Sequence, residues 1–206
     1  MAPSSPSTFC SLPREIRDQI LTAVLESELS PPTYSADYLQ DRMHVQEIKA
    51  ADREYGEENV HYHTRPVLIS GSSLLLTNHQ VCAETRNVIY RLEDSQMLRY
   101  KLDCIIESEK AMYPTWLKVP ALSRWIGTID VDFRIVGVRD EHRTNFFPGD
   151  GGPEQASWDS LALLNRFMER GPDFISPGKG GRKKIQVGTV AITVVPLRNR
   201  RRDLSQ

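Results

Sequence analysis

The sequence predicts an α+β protein whose first half is helical and whose second half forms a small, curved or irregular sheet. Two segments before residue 95, at 12–28 and 72–91, carry apolar residues at the spacing of an amphipathic helix. From Leu98 onward the apolar residues recur at every second position, which indicates strands with one buried face. The predicted order of this second half is strand, short helix, strand, helix, strand, and crossovers of that length favour parallel neighbours joined in a right-handed sense.

Composition limits the class of protein. The chain has 206 residues, of which 39% are hydrophobic and 26% charged, so it can bury one modest core in water. The 26 Lys and Arg residues balance 27 Asp and Glu residues, and we therefore do not expect a surface built to hold nucleic acid.

The sequence also indicates the compartment. No segment approaches the roughly 20 apolar residues that span a bilayer, and the N-terminus lacks a secretory pattern. Cys10, Cys82 and Cys104 are too scattered for a disulfide framework. We expect a cytoplasmic or nuclear protein without a membrane partner.

The chain divides by composition into four parts. The predicted parts are a disordered Ser/Pro-rich leader at 1–10, a helical module at 11–95 with an inserted loop at 29–71, an α/β region at 96–196 and a basic tail at 197–206. Within the polar loop, a short helix is predicted around 38–55.

The first helix has a clear start. Pro13 suits a position where the backbone N–H has no helical partner, and Glu15 places a negative charge in the first turn, where the helix dipole favours it. Leu12 and Pro13 are the stronger candidates for an exposed interface on this segment.

The apolar stripe of this helix has two interpretations. Ile16, Ile20 and Val24 lie at helical spacing, whereas Arg17 is predicted to face water. The stripe either packs against residues 81–88 in the protein's own core or forms part of a surface for another protein.

The second helix is predicted from Ser72 or Ser73 to Arg91. Its apolar side comprises Leu74, Leu75, Val81, Thr85, Val88, Ile89 and Leu92. Its water-facing side is predicted to carry Asn78, Glu84 and Arg86.

The second half supplies the remaining elements. The predictions are strands at 98–106, 128–135 and 185–195, a short helix near 116–125 and a helix at 157–170 ended by Gly171-Pro172. Asp103 is predicted on the exposed face of the first strand, and Gly188 is predicted to form a bulge in the third. The 157–170 helix is predicted to present Trp158, Leu161, Leu164, Phe167 and Met168 to the core.

No set of reactive side chains forms a recognisable catalytic, metal or cofactor site. His61 and His63 could supply two metal nitrogens from a solvated loop, but no third ligand has a matching spacing. His79 and Cys82 share a helix face without an orienting third group. We therefore expect no enzyme, no metal and no cofactor.

Two features leave alternatives open. The Gly-rich stretches at 149–153 and 178–182 lack the spacing of phosphate-binding loops and are predicted to be turns. Residues 177–206 contain eight basic side chains against Asp203, so nucleic-acid binding through the C-terminal segment is one alternative, beside an ordinary solvated terminus. A small enzyme with no recognisable motif is another.

Two segments carry a resemblance to a known family. Residues 12–21, LPREIRDQIL, resemble the opening of an F-box, and residues 74–85, LLLTNHQVCAET, are similar to a segment that follows it in filamentous-fungal F-box-like proteins. An ordinary F-box is one uninterrupted three-helix unit, whereas here the loop at 29–71 splits the module.

The resemblance implies a binding function. An F-box docks on the Skp-type adaptor of a cullin ubiquitin ligase, and the rest of its chain selects a substrate protein. By this resemblance the partner-binding residues here are Leu12, Pro13, Glu15, Ile16 and Ile20, with the aliphatic members meeting an apolar groove of the adaptor.

Overall fold

The computed structural model describes residues 9–45, 56–108, 110–137, 155–175 and 184–196. Its elements are α1 (Arg14–Leu25), α2 (Ala36–Gln40), β1 (Arg42–His44), β2 (His61–His63), α3 (Ser70–Leu75), α4 (His79–Asp94), β3 (Arg99–Glu107), β4 (Ala111–Lys118), β5 (Trp125–Val136), α5 (Gln155–Arg170) and β6 (Gln186–Pro196). Helices and strands share one core, and the fold class is α+β, as predicted. Most of the leader, both Gly-rich stretches and the basic tail lie outside the described residues. Phe9 and Cys10, predicted as part of that leader, form a 3-10 turn packed against the core.

The main sheet has four strands in the order β4-β3-β5-β6. The three predicted strands, β3, β5 and β6, are parallel neighbours, as expected. The short helix predicted near 116–125 is wrong. Residues 116–118 end β4, which runs antiparallel beside β3, residues 119–124 form a connection without helix or strand, and Trp125 begins β5. In β4, Met112 and Trp116 point to one face and Tyr113 and Thr115 to the other, which satisfies strand periodicity as well as helical spacing.

Gly188 does not form the predicted bulge, because the pairing register of β5 with β6 is constant along its whole length. Gly188 instead lies where the backbone of the neighbouring strand comes very close. A Cβ atom on Gly188 would lie 2.8 Å from the carbonyl oxygen of Gly127, and a Cβ atom on Gly127 would lie 1.8 Å from the carbonyl oxygen of Gln96. Both positions therefore exclude a side chain.

The predicted single helix at 72–91 is two helices, α3 and α4. The side chain of Asn78 accepts a hydrogen bond from the backbone N–H of Val81 at 2.9 Å, which caps α4 and ends the continuous helix before it. The predicted apolar side of α4 is buried except for Ile89, which is half-buried, but Glu84, predicted to face water, is buried as well.

The polar insert at 29–71 is not a loop throughout. It contains α2 and the two-stranded pair β1–β2. The helix predicted around 38–55 is therefore wrong at residues 42–44, which form β1, and its part at 46–55 lies outside the described residues. Residues 28–44, which we call the strap, lie against one face of the main sheet. Leu29 N donates to Leu117 O at 2.9 Å, and Arg134 Nη2 donates to Pro32 O at 2.8 Å.

The opposite face of the sheet carries the aromatic core beneath α5. Trp116 lies 5.2 Å from Phe167 and 5.7 Å from Phe174 between ring centroids, and its indole N–H donates to Pro172 O at 3.0 Å. The helix ends at Gly171, which has a φ of 81°, so the predicted stop signal is confirmed.

The predicted inward face of α5 is partly wrong. Leu161 is 44% exposed, whereas Asp159 and Arg166 are buried. Asp159 accepts hydrogen bonds from the amides of Asn59 and Gln155, and Arg166 Nε donates to Phe174 O at 2.8 Å. The face of α5 that is buried therefore includes polar side chains with hydrogen-bond partners, which the apolar pattern alone did not indicate.

Gly127→Ala should lower the free energy of unfolding by about 2 kcal/mol or more, because the new methyl group meets rigid backbone rather than a movable side chain. Urea denaturation followed by circular dichroism measures the change. Thr193→Ala, at an exposed position of β6, is the control. Equal stability of the two variants would contradict the close approach.

Candidate protein-docking surface

The exposed surface of α1 begins at its first turn. Pro13 occupies the N-cap position of the helix and is exposed, and Leu12 before it is half-buried. Ile16, Ile20 and Val24 are 43%, 39% and 38% exposed. Since residues three and four apart share a helix face, Pro13 and these three aliphatic side chains form one continuous apolar strip, which we call the α1 strip.

The inward side of α1 is formed by the residues that directly follow the three aliphatic members of the α1 strip. Arg17, Leu21 and Leu25 are buried, and both leucines belong to the same core cluster as Val81 and Val88 of α4. The interpretation that the α1 strip fills the protein's own core is therefore wrong, because the neighbouring row takes that place. The prediction that Arg17 faces water is wrong for the same reason.

Arg17 joins α1 to α4 and holds the start of α1 from inside. Its Nε donates to Glu84 Oε2 at 2.8 Å and its Nη2 to Glu84 Oε1 at 2.6 Å. Its Nη1 donates to the carbonyl oxygen of Cys10 at 3.2 Å and to that of Leu12. One guanidinium thus fixes the turn that presents Leu12 and Pro13.

The electrostatics of this pair keep Glu84 ionised. The hydrogen bonds from Arg17 lower the pKa of Glu84 to about 2, against the opposing effect of burial, and Gln80 adds a further hydrogen bond at 3.2 Å. Neither Arg17 nor Glu84 was singled out from the sequence as part of the site. Only their spacing within otherwise apolar helix faces could have indicated them.

Glu15 does not share the α1 strip. It is exposed on the other flank of the helix, where α1 and α4 enclose an open groove of about 660 Å³. The groove is lined by Glu15, Asp18, Gln19, Thr22, Ala23, Val88, Arg91, Leu92, Ser95 and Met97. Asp18 and Arg91 form an ion pair of 2.9 Å at its side. Four of the five predicted partner-binding residues therefore lie together on one side of α1: Leu12, Pro13, Ile16 and Ile20. The fifth, Glu15, lies apart from them.

The other reactive side chains have structural surroundings. His61, predicted in a solvated loop, lies in β2 and stacks on Tyr113 at 5.3 Å between ring centroids. His79 is the exposed first residue of α4, and Cys82 is half-buried. Among the described residues, no three His, Cys, Asp or Glu side chains are grouped to hold a metal ion. None of the helices described has both the length and the apolar character needed to cross a membrane.

Asp103, predicted on an exposed strand face, is fully buried. Arg134 donates to both of its carboxylate oxygens at 2.5 Å, while burial under the strap raises the pKa of Asp103. This pair belongs to the interior of the fold and leaves the carboxylate no open side for catalysis.

Comparisons with known proteins returned no relatives: no family model, no curated protein and no solved structure matches the chain.

Arg17→Met should lower the melting temperature by on the order of 10 °C, because the Glu84 carboxylate would remain in the interior without its partner. Arg91→Met is the matched control, since it breaks an ion pair in which the arginine side chain is 60% exposed and should change the melting temperature little. Similar shifts in the two variants would show that the buried pair does not join the helices.

Glu84→Gln should remove part of the acid sensitivity of the protein. The folded-state pKa of Glu84 lies below its ordinary value of 4.5, so its contribution to stability is complete above pH 4.5 and is lost as the pH falls towards 2. The stability advantage of the wild type over Glu84→Gln, measured by urea denaturation, should therefore shrink across this interval. A gap that stays constant with pH would contradict the assignment.

Proposed function

We propose that the α1 strip, together with Leu12, is a docking surface of F-box type that binds a Skp-type cullin adaptor, and that the protein acts by binding rather than catalysis. One observation carries the proposal: α1 buries an arginine and leaves three aliphatic side chains partly exposed. An arrangement of that kind stabilises the monomer less than the reverse would, so it favours a role for the strip in contact with another molecule. The α/β half would then select a substrate protein, in the cytoplasm or the nucleus.

The apolar area of the α1 strip is too small to supply the binding free energy of a stable complex on its own. Ile16, Ile20 and Val24 each retain about two fifths of their exposure, so burying the remainder contributes roughly 1 kcal/mol per side chain. The sum of roughly 3 kcal/mol is well below the approximately 8 kcal/mol of a micromolar complex. Leu12, Pro13 and further contacts must therefore take part, which agrees with the residues that the F-box resemblance implies.

The Arg17 contacts support a preformed surface. Because the guanidinium binds the carbonyl groups of both Cys10 and Leu12, the turn before α1 is ordered before any partner arrives. A preformed turn lowers the entropy cost of association and leaves more of the contact energy for affinity.

Leu12→Asp and the double variant Ile16→Asp/Ile20→Asp should each weaken capture of a purified fungal Skp adaptor at least about tenfold, because a carboxylate would enter an apolar interface. A pull-down with the full chain measures the effect. Gln19→Asp is the matched control for Leu12→Asp, since it adds the same single negative charge at an exposed position on the other flank of α1.

The melting temperature of each variant checks that the fold is intact. Wild type that retains no adaptor would overturn the proposed partner. Loss of binding in Gln19→Asp, but not in Ile16→Asp/Ile20→Asp, would move the interface to the α1–α4 groove.

A further inference from the structure

A cavity lies between α5 and the main sheet, on the face opposite the strap, and we call it the α5 cavity. The middle of its floor is a row across the sheet to which each strand contributes one side chain. The row consists of Trp116 in β4, Leu102 in β3, Val131 in β5 and Ile192 in β6. Because each of these residues is the register partner of the next, their side chains share one face of the sheet. Residues of α5 form the roof.

The α5 cavity is closed at one end and open at the other. Trp116, Leu102 and Val131 are buried, whereas Ile192 is 60% exposed. On the opposite wall, Phe167 is buried beside Trp116, and Leu161 is 44% exposed. The helix therefore covers the floor at β4, β3 and β5 and leaves it uncovered at β6. The closed end lies at Trp116, and the mouth lies between α5 and β6.

The lining of the α5 cavity is almost entirely apolar. All of its lining residues are aliphatic or aromatic except Ser157 and Ser160, and none is charged. The hydroxyl group of Ser160 donates to Ala156 O at 2.6 Å, and the indole N–H of Trp116 donates to Pro172 O at 3.0 Å. Both of these donors are therefore already used within the protein. Ser157 is exposed, so its hydroxyl group lies at the mouth. A molecule that fits this lining is neutral, and any polar group it carries lies at the mouth.

The volume of the α5 cavity limits the size of such a molecule. The cavity measures about 260 Å³. An apolar cavity of roughly 150 Å³ holds one benzene ring, so in proportion about ten carbon atoms fit here. Two fused aromatic rings have this size. Trp116, Phe133 and Phe167 are among the walls, and aromatic rings pack favourably against one another.

We propose that the α5 cavity binds a neutral, mainly apolar small molecule of about ten carbon atoms. The apolar body of the molecule lies on the row between Trp116 and Val131, and its polar group lies at the mouth beside Ser157. Burial of apolar surface supplies the affinity, and the absence of charge in the lining supplies the selectivity. This site goes beyond adaptor docking, since it uses none of the residues of α1.

Isothermal titration calorimetry of the full chain with 2-naphthol tests the site. This probe consists of two fused rings with one hydroxyl group and is neutral at neutral pH, so it should bind as one molecule per chain. 2-Naphthoate, which carries a carboxylate in place of the hydroxyl group, should bind at least about tenfold more weakly, because no cation lines the cavity. 1-Hydroxypyrene should also bind weakly, since its four fused rings exceed the volume.

Ser160→Phe should weaken the binding of 2-naphthol at least about tenfold, because the new phenyl group would occupy the α5 cavity. Its melting temperature should be equal to that of the wild type or higher, since filling an apolar cavity adds contacts. Leu164→Trp, in the same wall, provides a second test should the first variant fold poorly. Thr193→Phe is the matched control, since it adds the same ring to β6 at an exposed position on the opposite face of the sheet.

Three outcomes would overturn this proposal. Wild type that binds no 2-naphthol would exclude the site, and equal affinities of Ser160→Phe and Thr193→Phe would place the probe elsewhere on the chain. Tighter binding of 2-naphthoate than of 2-naphthol would contradict the neutral lining. Adaptor capture by Ser160→Phe is measured in parallel, so that failure at the α5 cavity is distinguished from failure at the α1 strip.

Discussion

Arg17 enters the interface between α1 and α4 with its charge intact and meets Glu84 there, 67 positions further along the chain. A buried guanidinium is costly unless every donor finds an acceptor, and here the acceptors are one carboxylate and two carbonyl groups before the helix. This requirement fixes the rotation of α1 about its axis. The placement of Leu21 and Leu25 in the core and of the α1 strip outside both follow from it.

A second constraint acts on the sheet, which is covered on both faces. The aromatic core and α5 cover one face, and the strap covers part of the other. Two charged side chains of the sheet beneath the strap are held in ion pairs. Lys118 binds Glu28 at 3.2 Å, and Asp103 binds Arg134. Because the strap belongs to the chain before α3, the helical and α/β halves are joined by these contacts as well as by the shared core.

The α1 strip is an apolar helix face held by an internal ion pair, so it suits an apolar groove on a partner. The ion pair acts from the buried side of the helix and leaves the exposed side free of charge at Ile16, Ile20 and Val24.

Local patterns in the sequence determined the α+β class, the positions of β3, β5 and β6, their parallel pairing and the end of α5 at Gly171. Each depends on periodicity or on a backbone preference within a few residues. The residues of the α1 strip were also recognisable, since Ile16 and Ile20 stand at helical spacing after Pro13.

What the sequence left open was the direction in which these side chains face. Two rows of α1, one residue apart, could each have entered the core, and only the folded chain brings Glu84 to Arg17 to decide between them. Likewise the apolar spacing of β4 is compatible with a helix or a strand, and its antiparallel pairing with β3 decides for the strand.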